Sequence, residues 1–250
     1  MDLAISIVSH GHGGLLTSLL ESLVKVVPRN IRWEVILTHN IPEDFSFDSS
    51  GVKVTQVHNL RPRGFSTNHN CAFERSEADY FCILNPDVAL CCDPFGALIE
   101  ILSSDPSICV VGPHVANSQG GLEMSARAFP GFFTLLKKFV GFGEPSVAGP
   151  REVRPVPWLG GMFLLMRSSG YRLVSGFDEA FFLYYEDVDI CGRCWLKGLK
   201  VVFCGNTEIV HDGRRESHYS FRFFRWHALS FLRYYFRRLR YIKAFRQFSG

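Results

Sequence analysis

The chain of 250 residues has no apolar run near the roughly 18 to 20 residues that span a bilayer, and segments such as 158–166 are far too short. Its first residues lack a basic start followed by a cleavage site and pass almost directly into a strand-like run, which argues against a secretory leader. Internal repeats and low-complexity tracts are also missing. These features lead us to expect a cytoplasmic protein. No second cysteine pair stands at zinc-finger spacing from the Cys191–Cys194 CxxC, so that pair reads as two packing thiols on one helix face. The eight cysteines sit mostly within apolar segments, as reduced core residues do.

Acidic residues are missing altogether from 217–250, which carries eight Lys or Arg; the remainder holds 19 basic against 24 acidic residues. The tail is therefore a separate electrostatic object. Read as a helix, it places Phe224, Ala228, Phe231, Leu232, Tyr235, Leu239 and Ile242 on one face, with Arg222, Arg225, Arg233, Arg237 and Arg240 opposite. Two readings fit this pattern. Either the helix lies on an anionic membrane surface, or it packs its apolar face on the domain and leaves the arginines in water. No motif accompanies the charge that would suggest a nucleic-acid partner.

What is present is an alternation of strand and helix patterns, and the composition, 47% hydrophobic and 20% charged, is that of a globular α/β chain. Residues 4–8 read as a strand ending in the glycine-rich turn Ser9-His10-Gly11-His12-Gly13-Gly14, followed by a helix and a second strand at 33–38. Such an order implies a parallel crossover unit, with ligands at the carboxyl ends of the strands. The turn fits neither dinucleotide nor P-loop spacing, so it reads as a binding loop, and His10 and His12 either line a pocket or lie on the surface. Further strands are expected at 52–57, 80–84, 108–112, 158–167 and 200–204, and helices at 71–76, 94–103 and 187–197. The stretch 116–157 reads as a variable region over the site.

Chemistry concentrates at two places. Asn85-Pro86-Asp87 follows a buried-strand pattern, where a carboxylate can hold a divalent metal with its phosphates, though the same residues also make a plain turn. Glu186, Asp187 and Asp189 open a helix after an apolar run, a position suited either to catalysis or to ordinary helix capping. Gly161 leaves room for a ligand against the backbone. Residues 209–213 read as a loop carrying His211.

The segments WLGGMFLLMR and SGFDEAFFLYYEDVDICGRCWLKGLKVVF, with ILNPDV and GFSTNHN upstream, resemble the family 2 glycosyltransferases. Within these the chain is similar to bacterial rhamnosyltransferases that build O-antigen and related surface polysaccharides. The likeness covers essentially the whole chain, including RAFPGFF and FRWHALSFLRYYFRR. It implies a GT-A fold: one α/β domain over 1–216, with a nucleotide-binding half (1–115) and an acceptor-binding half (116–216), followed by the helix of 217–250. It also implies an inverting, metal-dependent transfer using Mg²⁺ or Mn²⁺.

By this resemblance Asp87 ends the metal and diphosphate motif, whose first position is Asn85, and His211 approaches the metal. Asp187 is the general base, with Glu186 beside it. Asn70, Ser9, His10, His39 and Asn40 fall in the nucleotide half, although His39-Asn40 stands where the family has Asp-Asn. Positive charge for the leaving diphosphate is expected from Arg61, Arg63 or Arg214-Arg215. The implied donor is dTDP-L-rhamnose and the acceptor a lipid-linked or surface glycan. The alternatives are UDP-glucose, UDP-galactose or a UDP-hexosamine on the same fold, or a catalytically silent glycan- or membrane-binding module.

Overall fold

The computed structural model describes residues 2–48, 51–117, 122–123, 125–131, 146–211 and 221–249, the side chains of 122, 123, 221 and 222 excepted. Arg214, Arg215 and the apolar piece 132–140 lie outside the described residues.

Strands β1 (Leu3–Ser9), β2 (Trp33–His39), β3 (Lys53–His58) and β4 (Tyr80–Leu84) form the parallel half of the main sheet, in the order β3-β2-β1-β4. The sheet continues through β11 (Phe163–Arg167), β6 (Ile108–Ala116), β12 (Lys200–His211) and β5 (Val88–Ala89). Strand β11 runs antiparallel to β4 and β6, while β12 returns parallel to β6. Short strands β7 (Leu122–Glu123) and β9 (Val153–Pro155) flank β6 and β12, and β8 (Ala126–Arg127) pairs with β10 (Trp158–Leu159) as a separate ribbon.

All seven residues of β1 are buried, as expected for a strand covered on both faces. Leu3, Ile5 and Ile7 meet the leucines of α1 (Gly13–Val26) and the apolar side of α3 (Phe95–Ser104). Ala4 points to the opposite layer, with α2 (Phe65–Phe73), α4 (Ser168–Leu173), α5 (Glu186–Leu196) and α6 (Phe221–Phe248). No described helix is long and apolar enough to cross a membrane.

Several boundaries differ from expectation for identifiable reasons. The helix expected at 71–76 starts at Phe65, because Ser66, Asn68 and His69 face inward and find polar partners there, hiding the periodic signal. The single strand expected over 158–167 is two, broken at Gly160 and Gly161. Strand β12 extends through the expected loop, so His211 is its last residue, paired with Val88.

The tail differs in its faces. The buried side of α6 is Ser230, Tyr234, Tyr241 and Ala244, whereas Phe224, Leu232, Tyr235 and Leu239 of the expected packing face are exposed. Arg237 is not on the solvent side; it reaches inward to Asp178 at 2.8 Å and Asp189 at 2.7 Å. Helices α5 and α6 approach so closely that a side chain at Gly192 would run into the Tyr241 ring.

Candidate active site

The register of the parallel strands gathers the candidate residues at one edge of the sheet. Ser9 is paired with His39, and His39 with His58, at the carboxyl ends of β1, β2 and β3. The next strand, β4, ends at Leu84, and the following residue, Asn85, donates its backbone N–H to Met162 O at 2.9 Å. Beside Met162, Gly161 N donates to Asp187 Oδ2 at 3.0 Å. Asn85, two residues before Asp87, and Asp187 are thus tied to adjacent residues of one turn, past the carboxyl end of β4, where ligand sites of open α/β sheets lie.

Asp87 Oδ1 is buried and makes no hydrogen bond, yet His211 Nε2 stands 3.3 Å away. A carboxylate oxygen shielded from water beside an imidazole suits a divalent cation, which commonly takes one or two protein ligands and completes its shell from phosphates. Among the described residues no cluster of three or more His, Cys, Asp or Glu could hold a metal by itself. The donor set of Asp87 and His211 therefore fits an ion delivered with a diphosphate, not a closed structural site.

At the other bank, Tyr184 and Tyr185 adopt left-handed backbone conformations, with φ of 71° and 65°. Such conformations cost about 1–3 kcal/mol each in non-glycine residues and need support from their surroundings. Helix α6 supplies it: Ser230 Oγ donates to Leu183 O at 2.9 Å, Tyr185 stacks on Tyr234, and His227 packs against both tyrosines. The chain then enters α5, placing Glu186 and Asp187 in its first turn.

Asp187 is half-buried, and its Oδ1 accepts the backbone N–H of Val188 at 2.8 Å. Burial raises its pKa, while those backbone donors and the charge of Arg127 pull the other way. Glu186 is buried more deeply, and its Oε2 has no hydrogen-bond partner. Burial, reinforced by the charge of Asp187, pushes its pKa well up.

Three expected nucleotide contacts are engaged within the protein. His39 is buried, with Nδ1 at 2.6 Å from Glu43 Oε1 and Nε2 at 2.8 Å from Gln56 Oε1. Asn40 accepts from Arg63 N and Asn59 Nδ2 and donates to Arg63 O, fixing the loop after β3. Asn70 accepts from Tyr171 OH and Phe177 N and donates to Phe177 O, so it staples the turn before the acidic cluster. The His39 ring and the two asparagine amides thus brace the loops at this edge of the sheet. Ser9 Oγ accepts from His12 N, and His10 Nε2 meets Asn40 Nδ2 at 3.0 Å. Partial burial, with some help from His12, lowers the pKa of His10 and favours its neutral form.

Asp189 is fully buried and receives Arg193 Nε at 2.6 Å, Arg237 Nη1 at 2.7 Å and Tyr241 OH at 2.6 Å. This junction and the support of α6 for Tyr184 and Tyr185 escape sequence reading because they join residues some 50 positions apart. Arg127, whose charge acts on Asp187, belongs to the RAFPGFF segment noted above, and that is its only sequence signal.

No protein-family model matches the chain. It is 28% identical over 254 residues to the rhamnosyltransferase WbbL of Escherichia coli (strain K12), covering 92% of this chain and 91% of that protein. It is also 28% identical over 234 residues to the N-acetylglucosaminyl-diphospho-decaprenol L-rhamnosyltransferase of Mycobacterium tuberculosis, covering 84% and 75% respectively. Among solved structures, GalNAc-T7 with UDP, GalNAc and Mn²⁺ superposes with a TM-score of 0.67 at 15% identity, over 86% of this chain and 44% of that one. The chain thus spans less than half of that structure, and this likeness concerns the fold alone. By fold it is a GT-A protein, and by sequence it is like the family 2 rhamnosyltransferases.

Proposed function

We propose that the chain is an inverting, metal-dependent glycosyltransferase that moves L-rhamnose from dTDP-L-rhamnose to a hydroxyl of a lipid-linked glycan. The observation that carries this reading is the crevice itself. A half-buried carboxylate with raised pKa, Asp187, is hydrogen-bonded to Gly161 in the turn whose Met162 holds Asn85, and two residues on Asp87 forms with His211 an incomplete oxygen-and-nitrogen ligand set. Donor and acceptor are read from relatives, one named a rhamnosyltransferase and one named for a diphospho-decaprenol acceptor. UDP-glucose, UDP-galactose or a UDP-hexosamine is the alternative donor, since His39-Asn40 replaces the family's Asp-Asn.

In this reading Asp87 and His211 hold Mg²⁺ or Mn²⁺, which when bound neutralises charge on the leaving diphosphate. Asp187 takes the proton from the acceptor hydroxyl as that oxygen attacks the anomeric carbon. Gly161 N–H fixes the carboxylate, and a single in-line displacement inverts the configuration without a covalent enzyme intermediate. The protein works at the inner face of the cytoplasmic membrane, held there peripherally by the cationic outer side of α6, where Arg225, Arg240, Lys243 and Arg246 are exposed.

A thermal-shift panel of nucleotide sugars with Mn²⁺ tests the donor. At 100 times its Kd the true donor adds about 2.7 kcal/mol, or roughly 5–11 °C for a chain of this size. We expect dTDP-L-rhamnose to give the largest rise and Asp87→Ala to lose its Mn²⁺-dependent part. An equal rise in excess chelator would contradict the metal role.

A further inference from the structure

Helix α6 is apolar on two sides, and among the described residues only one of them is packed in the core. Its outer side carries Leu229, Leu232, Phe236 and Leu239 at i, i+3, i+7 and i+10, with Phe236 79% and Leu239 74% exposed. Beside this stripe the helix and residues 180–182 enclose a groove of about 530 Å³, walled by Phe182, Trp226, Leu229, Leu232 and Phe236. Two arginines line it. Arg237 is already neutralised by Asp178 and Asp189. Arg233 is not: it donates to Ala180 O and lies 5.5 Å from the Phe181 ring centre, and no carboxylate among the described residues pairs with it.

We propose that this groove binds the lipid diphosphate of the acceptor's carrier, its hydrocarbon chain on Phe182, Trp226 and Phe236 and its phosphate on Arg233. The inference rests on the lipid-linked acceptor proposed above and gives that acceptor a binding site. Apolar walls with one uncompensated cation call for a ligand that is both greasy and anionic. A second copy of the chain is a poor occupant, because α6 contains no acidic residue and would bring cations against cations. The location also suits the chemistry. Phe182 lies five residues before Asp187, at most about 18 Å of extended chain, a span that includes the left-handed residues Tyr184 and Tyr185. Phe182 O accepts from Phe65 N, and the Phe65 ring approaches Gly161 beside Asp187, so the groove abuts the crevice.

The test is binding of farnesyl diphosphate, below its micelle concentration and without divalent metal, followed by tryptophan fluorescence of the full chain. Farnesol, inorganic diphosphate and anionic phosphatidylglycerol vesicles are measured in parallel. The proposal predicts farnesyl diphosphate at least tenfold tighter than farnesol or inorganic diphosphate. Phe236→Asp, at an exposed position, should weaken it at least tenfold, and Arg233→Gln should abolish the preference over farnesol. Both variants must keep the parent's response to nucleotide sugar with Mn²⁺, which reports an intact fold. Equal binding of inorganic diphosphate, indifference to Phe236→Asp, or binding to vesicles alone would overturn the groove as a carrier site. A parent protein that binds farnesyl diphosphate but no nucleotide sugar would leave the groove standing and remove the transferase reading; the reverse result would remove the groove alone.

Discussion

Asp189→Asn is the substitution whose cost the structure fixes best. The carboxylate is fully buried and receives three short bonds, two from guanidinium groups and one from a phenol. Removing its charge leaves Arg193 and Arg237 facing a neutral amide. Breaking a buried pair from one side costs about 3–5 kcal/mol. The two arginine side chains are 20% and 35% exposed, so water recovers part of their charge. The lower end, about 3 kcal/mol, is the better figure, and for a chain of this size it lowers Tm by roughly 6–12 °C. Differential scanning calorimetry reads this directly. Tyr241→Phe removes one of the three bonds, and the double variant should fall short of additivity because both act on one junction. A Tm loss for Asp189→Asn below about 3 °C would refute the view that this carboxylate locks α6 to α5.

Two further outcomes follow from the same geometry. Glu186 has its pKa raised in the folded protein, so its stabilising contribution is fully present below the ordinary carboxyl range and lost as pH rises through the folded value. Glu186→Gln should therefore match its parent in Tm near pH 4 and exceed it at pH 8, and a less stable variant at pH 8 would mean that Glu186 is ionised and paired. For the membrane reading, reversing Arg225, Arg240 and Lys243 to Glu should reduce sedimentation with anionic liposomes; each lost cation is worth about 1 kcal/mol, so retention should fall at least 100-fold. Arg237 must be spared in this test because it holds Asp189, and unchanged sedimentation would remove the membrane reading of α6.

Much of the fold was legible because buried parallel strands announce themselves: residues 80–84 read as a strand and are one, and α3 lies one residue beyond the expected 94–103. The α/β order was legible for the same reason, and the sequence places Asp87 just past a strand end and Asp187 at a helix start, as the structure does. Helix α2 was not, because its inward residues Ser66, Asn68 and His69 are polar, and burial of such residues is visible only once their partners are known. The tail misled for a related reason. An amphipathic pattern gives the angular spacing of apolar residues, but here the packed side is built from Tyr234, Tyr241 and Arg237, whose polar ends find Pro130 O and Asp189. The larger aliphatic stripe was left outside. Asn40 and Asn70 show the same limit, since an amide suited to a ligand is equally suited to a loop.

The central claim is that Asp187 is the base that deprotonates the acceptor. The most direct measurement is the pH dependence of kcat/KM for sugar transfer by the parent and by Asp187→Asn, with nucleotide binding recorded alongside. Burial raises the Asp187 pKa, so the parent rate should climb tenfold per pH unit on the acid side and level off above the usual carboxylate range. The variant should bind nucleotide as the parent does, lose at least about 100-fold in rate, and show no such limb. Transfer by Asp187→Asn at a rate near the parent's, with the acid limb intact, would contradict the account.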